Sequence, residues 1–494
     1  MNIENIALQT ELSYPIPEIP DHKEYFEYRC LLERIDEILK QSGLDLEFAA
    51  DRLEKVIRQR EADGEIKELS GKQIDRLTRY AVQAYRCTMT GILLDRSYRE
   101  LSIILAESPL LQKFCTIARL DGTLRIPTKS TLQRFAKFCD EKFIRKQIAQ
   151  LNHYAAQDSN PFGFRDPFNT EDIFVDATCL KAKIHFPVDW VLMKDCMLTI
   201  IQAILVIRKH GLKYRIKAPE IFISEMNALC MSMTSSSRNR QGKKEQKKVF
   251  RKLKKIAAVI QKHGRGYADL LLAKRKEKTD LSESEANCIL LRINKMLNTL
   301  PVAIEQANSR IISGKLIANE DKLLSVYHED VNVIKRGKAG GQVEFGNTLF
   351  IAEQGNGIII DWQLYKTDVK EVQATKESVI RMTEEFEYEI DSVTGDRGCQ
   401  SKSNDKLLAK KHICSGLCPR NPLEFAERMQ DDKFQKLQKR RAQTEGRIGI
   451  FKNIILDGSL YEKDFECKQE KVSWAVLIHN LWCMARLPVK DAED

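Results

Sequence analysis

The placement of strand-type sequence constrains this chain more than any other feature. One short run, DIFVDAT at 172–178, stands alone. The other strand-like segments (VNVIKRG, QVEFGNTLFIAEQ, GIIIDWQLYKTD and YEIDSVTGD) crowd together from residue 325 onward, alternating or running apolar between Gly-containing turns. About 145 residues of mostly helical pattern separate the lone strand from the cluster. The simplest architecture joins it to the distant group in one sheet. The expected fold is therefore a mixed α/β sheet, interrupted after its first strand by a helical insertion and preceded by an all-helical N-terminal domain.

At 494 residues the chain is too long for one ordinary domain. The pattern divides it into a helical region at 1–160, a first piece of the sheet domain at 170–195, a helical insertion at 196–324, and the rest of the sheet domain at 325–494. Residues 156–170 (AQDSNPFGFRDPFNT) are rich in Pro, Gly and Asn and read as a linker. There is no internal repeat.

In the N-terminal region SYRELSIILAESPLLQKF begins with Ser97 and Glu100 in capping-box spacing. After Pro127 a single helix is expected over KSTLQRFAKFCDEKFIRKQIAQL, with Ser130 and Gln133 as its box and Lys129, Arg134 and Lys137 on its exposed face. Two helices joined by a turn, the second basic, fit a helix-turn-helix reader of a DNA groove. A plain bundle with a solvated basic face fits the same spacing.

Charge is concentrated rather than spread. Arg238 to Lys278 carries sixteen Lys or Arg against three acids, whereas the whole chain carries +10, so the remainder is slightly acidic. A block of this kind, including Lys243, Lys244, Lys247 and Lys248, suits a polyanion, and Lys-rich runs supply charge without reading bases. SSSRNRQGKKEQKK reads as a mobile loop and VFRKLKKIAAVIQKHGRG as a basic amphipathic helix.

The 13 cysteines are an odd number with no disulfide framework, which points to a reducing compartment. MNIENIALQTELSYPIPEIP has no signal-peptide pattern. VSWAVLIHNLWCMARL is too short to span a bilayer, is interrupted by His479, Asn480 and Arg486, and reads as a buried helix. No membrane partner is expected.

Acids at strand ends are the candidate chemistry. Two divalent metals held by carboxylates can activate a water or a 3′-hydroxyl and stabilise the leaving oxygen of a phosphodiester. Magnesium prefers hard oxygen donors, which calls for Asp and Glu. Asp176 closes IFVDAT, Asp361 closes GIIID, and Asp391 and Asp396 lie in YEIDSVTGD. Each alone has a plainer role as a turn or cap residue.

Glu445 is more informative. A helix starting at Asn421 and Pro422 and running through 456 carries an apolar stripe of Leu437, Ile448 and Ile455. Arg441, Glu445 and Lys452 fall within about 40° of one another at its edge. The alternative is a surface Arg–Glu pair. Gly446 and Gly449 weigh against it: each costs about 1 kcal/mol inside a helix, so they suggest close approach of another backbone or of DNA.

RAQTEGRIGIFK resembles the signature of DDE transposases of bacterial insertion sequences: Tyr, two residues, Arg, three residues, Glu, six residues, Lys. Arg441, Glu445 and Lys452 match its spacing, with Gln438 at the tyrosine position. VDATCLKAKIHFPVDWVLMKD and VTGDRGCQS resemble the first- and second-Asp segments. VEFGNTLFIAEQ, SWAVLIHNLWCMARL and SYRELSIILAESPLLQKF are also similar to these enzymes. The resemblance implies a ribonuclease-H-like core with Asp176, Asp396 and Glu445 as catalytic metal ligands for two Mg²⁺ ions, Mn²⁺ being a possible substitute. It sets Asp361 and Asp391 aside.

It further implies metal-dependent cleavage at terminal inverted repeats and strand transfer into target DNA, by a homodimer or higher assembly on DNA in the cytoplasm at the nucleoid. Arg441 and Lys452, and with them Lys181 and His185, would contact DNA near the cut. The other readings are a transposase-derived DNA-binding protein without catalysis, and a ribonuclease-H-like nuclease that cuts without joining. His412, Cys414 and Cys418 lack a partner pair for zinc. GKAGG at 337–341 lacks the residues of a P-loop and reads as a turn.

Overall fold

A computed structural model describes residues 16–64, 68–117, 124–166, 168–213, 216, 218–236, 242–335 and 343–490. GKAGG, the first fifteen residues, and Ser237 to Gln241 of the expected mobile loop lie outside these. The chain forms two compact units. One comprises Met1–Leu180, Thr348–Tyr365 and Val369–Asp494, and the other Lys181–Asn347 and Lys366–Asp368.

The first unit opens with helices α1 (Lys23–Ser42), α2 (Leu44–Ala62), α3 (Gly71–Leu93), α4 (Tyr98–Glu107), α5 (Pro109–Phe114), α6 (Lys129–Phe135) and α7 (Glu141–Ala155). Ser97 and Glu100 cap α4 with the expected box. The helix expected after Pro127 is two helices. Thr128, not Ser130, caps α6. The Asp140 carboxylate accepts from the Phe143 amide at 2.9 Å and starts α7 afresh. An Asp at that point satisfies a new helix start better than it continues an old one. Lys129, Arg134 and Lys137 are exposed on this broken segment. Residues 156–170 are not a free linker. Phe162, Phe164 and Phe168 are buried in the same core as the helices, and Phe164 bridges Val489. Turn-rich composition marked the bends, but burial of three aromatic rings decides where the segment lies.

The sheet consists of β1 (Asp172–Ala182), β2 (Asn332–Lys335), β3 (Val343–Gln354), β4 (Ile359–Leu364), β5 (Ser392–Gly395), β6 (Cys414–Leu417) and β7 (Ser459–Leu460). Its order is β2-β3-β1-β5-β6, with β4 on β3 and β7 on β1. β1, β5 and β6 are parallel, whereas β3 pairs antiparallel with β2 and β4. Every β3 residue from Asn347 to Gln354 is buried, and so is the run Ile173–Val175 of β1. Continuous burial of this kind belongs to strands covered on both faces.

The helices that follow are α12 (Glu371–Ile380), α13 (Lys402–Lys410), α14 (Pro422–Arg428), α15 (Asp432–Arg441), α16 (Thr444–Ile450) and α17 (Phe465–Ala485). α17 is the buried C-terminal helix expected from its composition, and its polar residues clamp β4. Asn480 accepts from the Ile359 amide at 2.9 Å and donates to its carbonyl at 2.8 Å. His479 Nε2 lies 3.0 Å from the Gly357 carbonyl, and burial pushes its pKa down to about 4. Trp362 Nε1 donates to Ser473 Oγ at 3.1 Å. Asp361, fully buried on β4, is held by Arg145, Arg381 and Ser378.

The second unit is a helical insertion following β1. It contains α8 (Asp189–Lys209), α9 (Pro219–Ser236), α10 (Gly242–Lys278) and α11 (Glu283–Ala307). The part of the expected mobile loop from Gly242 onward is helix. Gly264 lets α10 approach α8 and α11, because a Cβ there would lie 2.8 Å from Ile200 and 3.2 Å from Leu297. Among the described residues α8 is long and apolar enough to cross a membrane, and eleven of its residues are buried in this bundle.

Candidate functional site

Pairing register brings the first two acids together. Asp172, Ile173 and Phe174 of β1 lie opposite Ser392, Val393 and Thr394 of β5. The same offset, carried past the last pair, leads from Asp176 to Asp396, the residue that follows the end of β5. Side chains alternate faces along a strand, so Asp172, Phe174 and Asp176 share one face. Ser392 Oγ donates to Asp172 at 2.5 Å, which assigns the even-numbered β5 residues to that face too. Asp176 does not close its strand as expected: β1 runs on to Ala182, and it is β5 that stops at Gly395. Asp396 then accepts from the amides of Gly398 at 2.7 Å and Cys399 at 3.2 Å in the turn that follows.

The signature helix is broken where continuity was expected. It starts at Asn421 and Pro422, but it ends and restarts to give α14, α15 and α16, then widens into a π turn at Phe451–Ile455. Leu437, Ile448 and Ile455 are buried, so the apolar stripe survives the breaks. Arg441 ends α15 and Glu445 lies in the first turn of α16, exposed, while Lys452 is half-buried on the π turn. The single helix assumed by the single-face arithmetic is therefore interrupted between Arg441 and Glu445 and again before Lys452. A Cβ at Gly446 or Gly449 would meet nothing within 4 Å, so among the described residues no approaching backbone accounts for these glycines.

What holds this segment was not visible in the sequence. Arg440 donates to Glu353 at 2.9 Å, to the carbonyls of Gly355 and Gln354 at 3.0 and 3.2 Å, and to Thr444 Oγ1 at 3.2 Å. Its guanidinium lies 4.4 Å from the centre of the Phe174 ring, two residues before Asp176. Thr444 donates to Glu353 at 2.9 Å and Arg447 to the Gly355 carbonyl at 2.9 Å. Gly357 adopts a positive φ of 88°, and a Cβ there would lie 2.7 Å from Arg447. Gln438, at the tyrosine position of the signature, donates to the Gly416 carbonyl of β6 at 2.7 Å. α15 and α16 are thus fastened to β1, β6 and the β3–β4 turn.

The acids register one another electrostatically. Burial pushes the Asp176 carboxyl up to about 6; the Ala177 amide pulls it down, Asp396 and Glu445 add to the rise, and Arg441 opposes it. Glu371, at the start of α12, was missed by sequence reasoning. Burial first, then Asp396 and Asp176, push it up to about 7, with Arg420 opposing. Ligand atoms of Glu371, Asp396 and Cys399 lie within 4.8 Å of one another. Asp176 and Glu445 are not part of this group, although Asp176 acts on the ionisation of Glu371 and Cys399. Burial holds the Cys399 thiol well above its usual range, so it stays protonated and is a poor donor to a hard cation. Gly398 leaves the room Glu371 occupies, since a Cβ there would overlap its Oε2. The only sequence signal for Glu371 was its position at a helix start, a common place for Glu.

Lys181 and His185 belong to the second unit, where Lys181 pairs with Glu344 at 3.3 Å. Among the described residues His412, Cys414 and Cys418 form no metal-competent group, and all thirteen cysteines are free. No family model, curated protein or solved structure matches the chain.

Proposed function

We propose that this chain is a DDE-type DNA transposase that cleaves the ends of an insertion sequence and transfers the freed 3′-hydroxyl to target DNA. One observation carries the reading: the parallel register of β1 and β5 leads to Asp176 and Asp396, and Asp396, Glu445 and Arg441 are all close enough to alter the ionisation of Asp176. The strand order supports a ribonuclease-H-like core, with a parallel half of β1, β5 and β6 and an antiparallel half of β3 and β4.

The donor set suits Mg²⁺, or Mn²⁺ in its place. Asp396 and Glu445 add to the burial that pushes Asp176 up, and Asp396 and Asp176 add to the burial that pushes Glu371 up, an accumulation of charge that a divalent cation relieves. Two such ions, held by Asp176, Asp396 and Glu445 with Glu371 as a further donor, would supply Lewis acidity to the attacking hydroxyl and the leaving oxygen. Arg441 would hold a phosphate of the cut strand, an arrangement that a guanidinium suits. Lys452, Lys181 and His185 would contact the flanking backbone. Lys129, Arg134 and Lys137 would engage the terminal repeats. The bare surface of Gly446 and Gly449 leaves room for DNA to approach α16. Assembly as a homodimer or higher on DNA belongs to the same reading.

The test is cleavage of a duplex carrying the DNA that flanks the gene, with Mg²⁺ and with EDTA. Asp176→Ala should reduce cleavage by about a thousandfold or more. Equal cleavage by that variant would sink the assignment. Binding without any cleavage would favour a non-catalytic DNA-binding protein. Pre-cleaved ends that are never joined to a second duplex would favour a nuclease.

A further inference from the structure

The long helix of the insertion is built to face a polyanion. Val249, Phe250, Leu253, Ala257, Ile260, Gly264, Tyr267, Ala268 and Leu271 of α10 are buried. At 100° per residue they occupy an arc of about 100°. On the opposite side Lys243, Lys244, Lys247, Lys248, Arg251, Lys254, Lys255, Lys262 and Arg265 fall within about 140°. All but the half-buried Lys247 are exposed. Among the described residues none of these nine makes an ion pair, whereas Arg275 near the helix end pairs with Glu283. The one acid on this stretch, Glu245, lies off the stripe. From Lys243 to Arg265 the stripe is about 33 Å long at 1.5 Å per residue, close to one turn of duplex DNA.

We infer that this stripe is a track for the phosphate backbone of duplex DNA, binding without regard to sequence. Uncompensated cations at this density repel one another, and a polyanion removes the cost. A membrane surface fits less well. An interfacial helix inserts an apolar face, and the apolar face of α10 is already packed against α8, α9 and α11. Lysines that reach phosphates release counterions, which makes the contact salt-dependent and blind to base sequence. The inference rests on the reading that the chain acts on DNA, but not on its catalytic centre.

The experiment titrates full-length protein against a 30-base-pair duplex of arbitrary sequence by fluorescence anisotropy, in EDTA, across a series of NaCl concentrations. The Lys243→Gln/Lys244→Gln/Lys247→Gln/Lys248→Gln variant changes three exposed lysines and the half-buried Lys247 on the basic side of α10. Its slope of log affinity against log salt should flatten by about two to four. Its affinity near 0.1 M salt should fall about 10- to 100-fold. The matching Lys→Arg variant should keep both, which ties the effect to charge rather than to folding. An unchanged slope and affinity in the Gln variant would overturn the track. So would a loss seen only on phosphatidylserine vesicles. If that happens while Asp176→Ala still abolishes Mg²⁺-dependent cleavage, the track alone fails. If the slope flattens and Asp176→Ala has no effect on cleavage, the catalytic reading alone fails.

Discussion

Replacing Arg440 with Met tests how the Glu445 segment is held. Arg440 is the main counter-charge of Glu353, which is 2% exposed and whose carboxyl is raised by burial and lowered chiefly by Arg440. The substitution keeps apolar bulk over Phe174 but removes the hydrogen bonds to Glu353, Gly355, Gln354 and Thr444. Breaking a buried pair from one side costs about 3–5 kcal/mol. Arg447 remains close enough to lower the Glu353 pKa, so about 2–4 kcal/mol is expected at pH 7.5.

The sign of the pH dependence follows from the direction of the shift. The folded-state pKa of Glu353 lies above its unfolded value, and losing Arg440 raises it further. The deficit is therefore largest above the folded pKa and shrinks as pH falls through it, when the stranded carboxylate takes up a proton. Urea unfolding of wild type and variant at pH 7.5 and 5 measures both. Adding Glu353→Leu should restore much of the stability, because no buried charge is then left alone. Cleavage should stay impaired, because α15 and α16 are no longer fastened beside Asp176. An Arg440→Met variant within 1 kcal/mol of wild type at pH 7.5, or one whose deficit grows on acidification, would refute the reasoning.

Two further outcomes are expected. Gly398→Ala puts a Cβ where Glu371 Oε2 now lies; because that atom is the end of a flexible side chain, stability should change by under about 1 kcal/mol, while the Mg²⁺-induced rise in Tm should shrink as Glu371 is displaced. An unchanged metal response would remove Glu371 from the site. Asp176 and Glu371 have folded pKa values of about 6 and about 7, above their ordinary values, so without metal they make the protein less stable as pH rises toward 7, and protons compete with Mg²⁺ below that range. The Mg²⁺ concentration giving half-maximal thermal shift should rise on going from pH 8 to pH 6, and a flat profile would count against a carboxylate site.

The sequence alone determined much of this protein. Alternation and apolar runs located β1, β3, β4 and β5, because the period of two is a local property of an extended chain. The isolation of β1 dictated a sheet completed across a helical insertion. Ser97 and Glu100 announced α4, and the stripe of Leu437, Ile448 and Ile455 identified the buried side of the Glu445 region. Local pattern could not show where competing caps win. Asp140 split one expected helix, and α14 to α16 break at places periodicity does not mark. Nor could it show which acid meets which. Asp361 and Asp176 look alike as strand acids, yet one is enclosed by two arginines and the other is near enough to Asp396 to feel its charge. That difference comes from strand register and from helices far away in sequence. Glu371 and Arg440 entered the site for the same reason: only the folded chain brings them within reach of it.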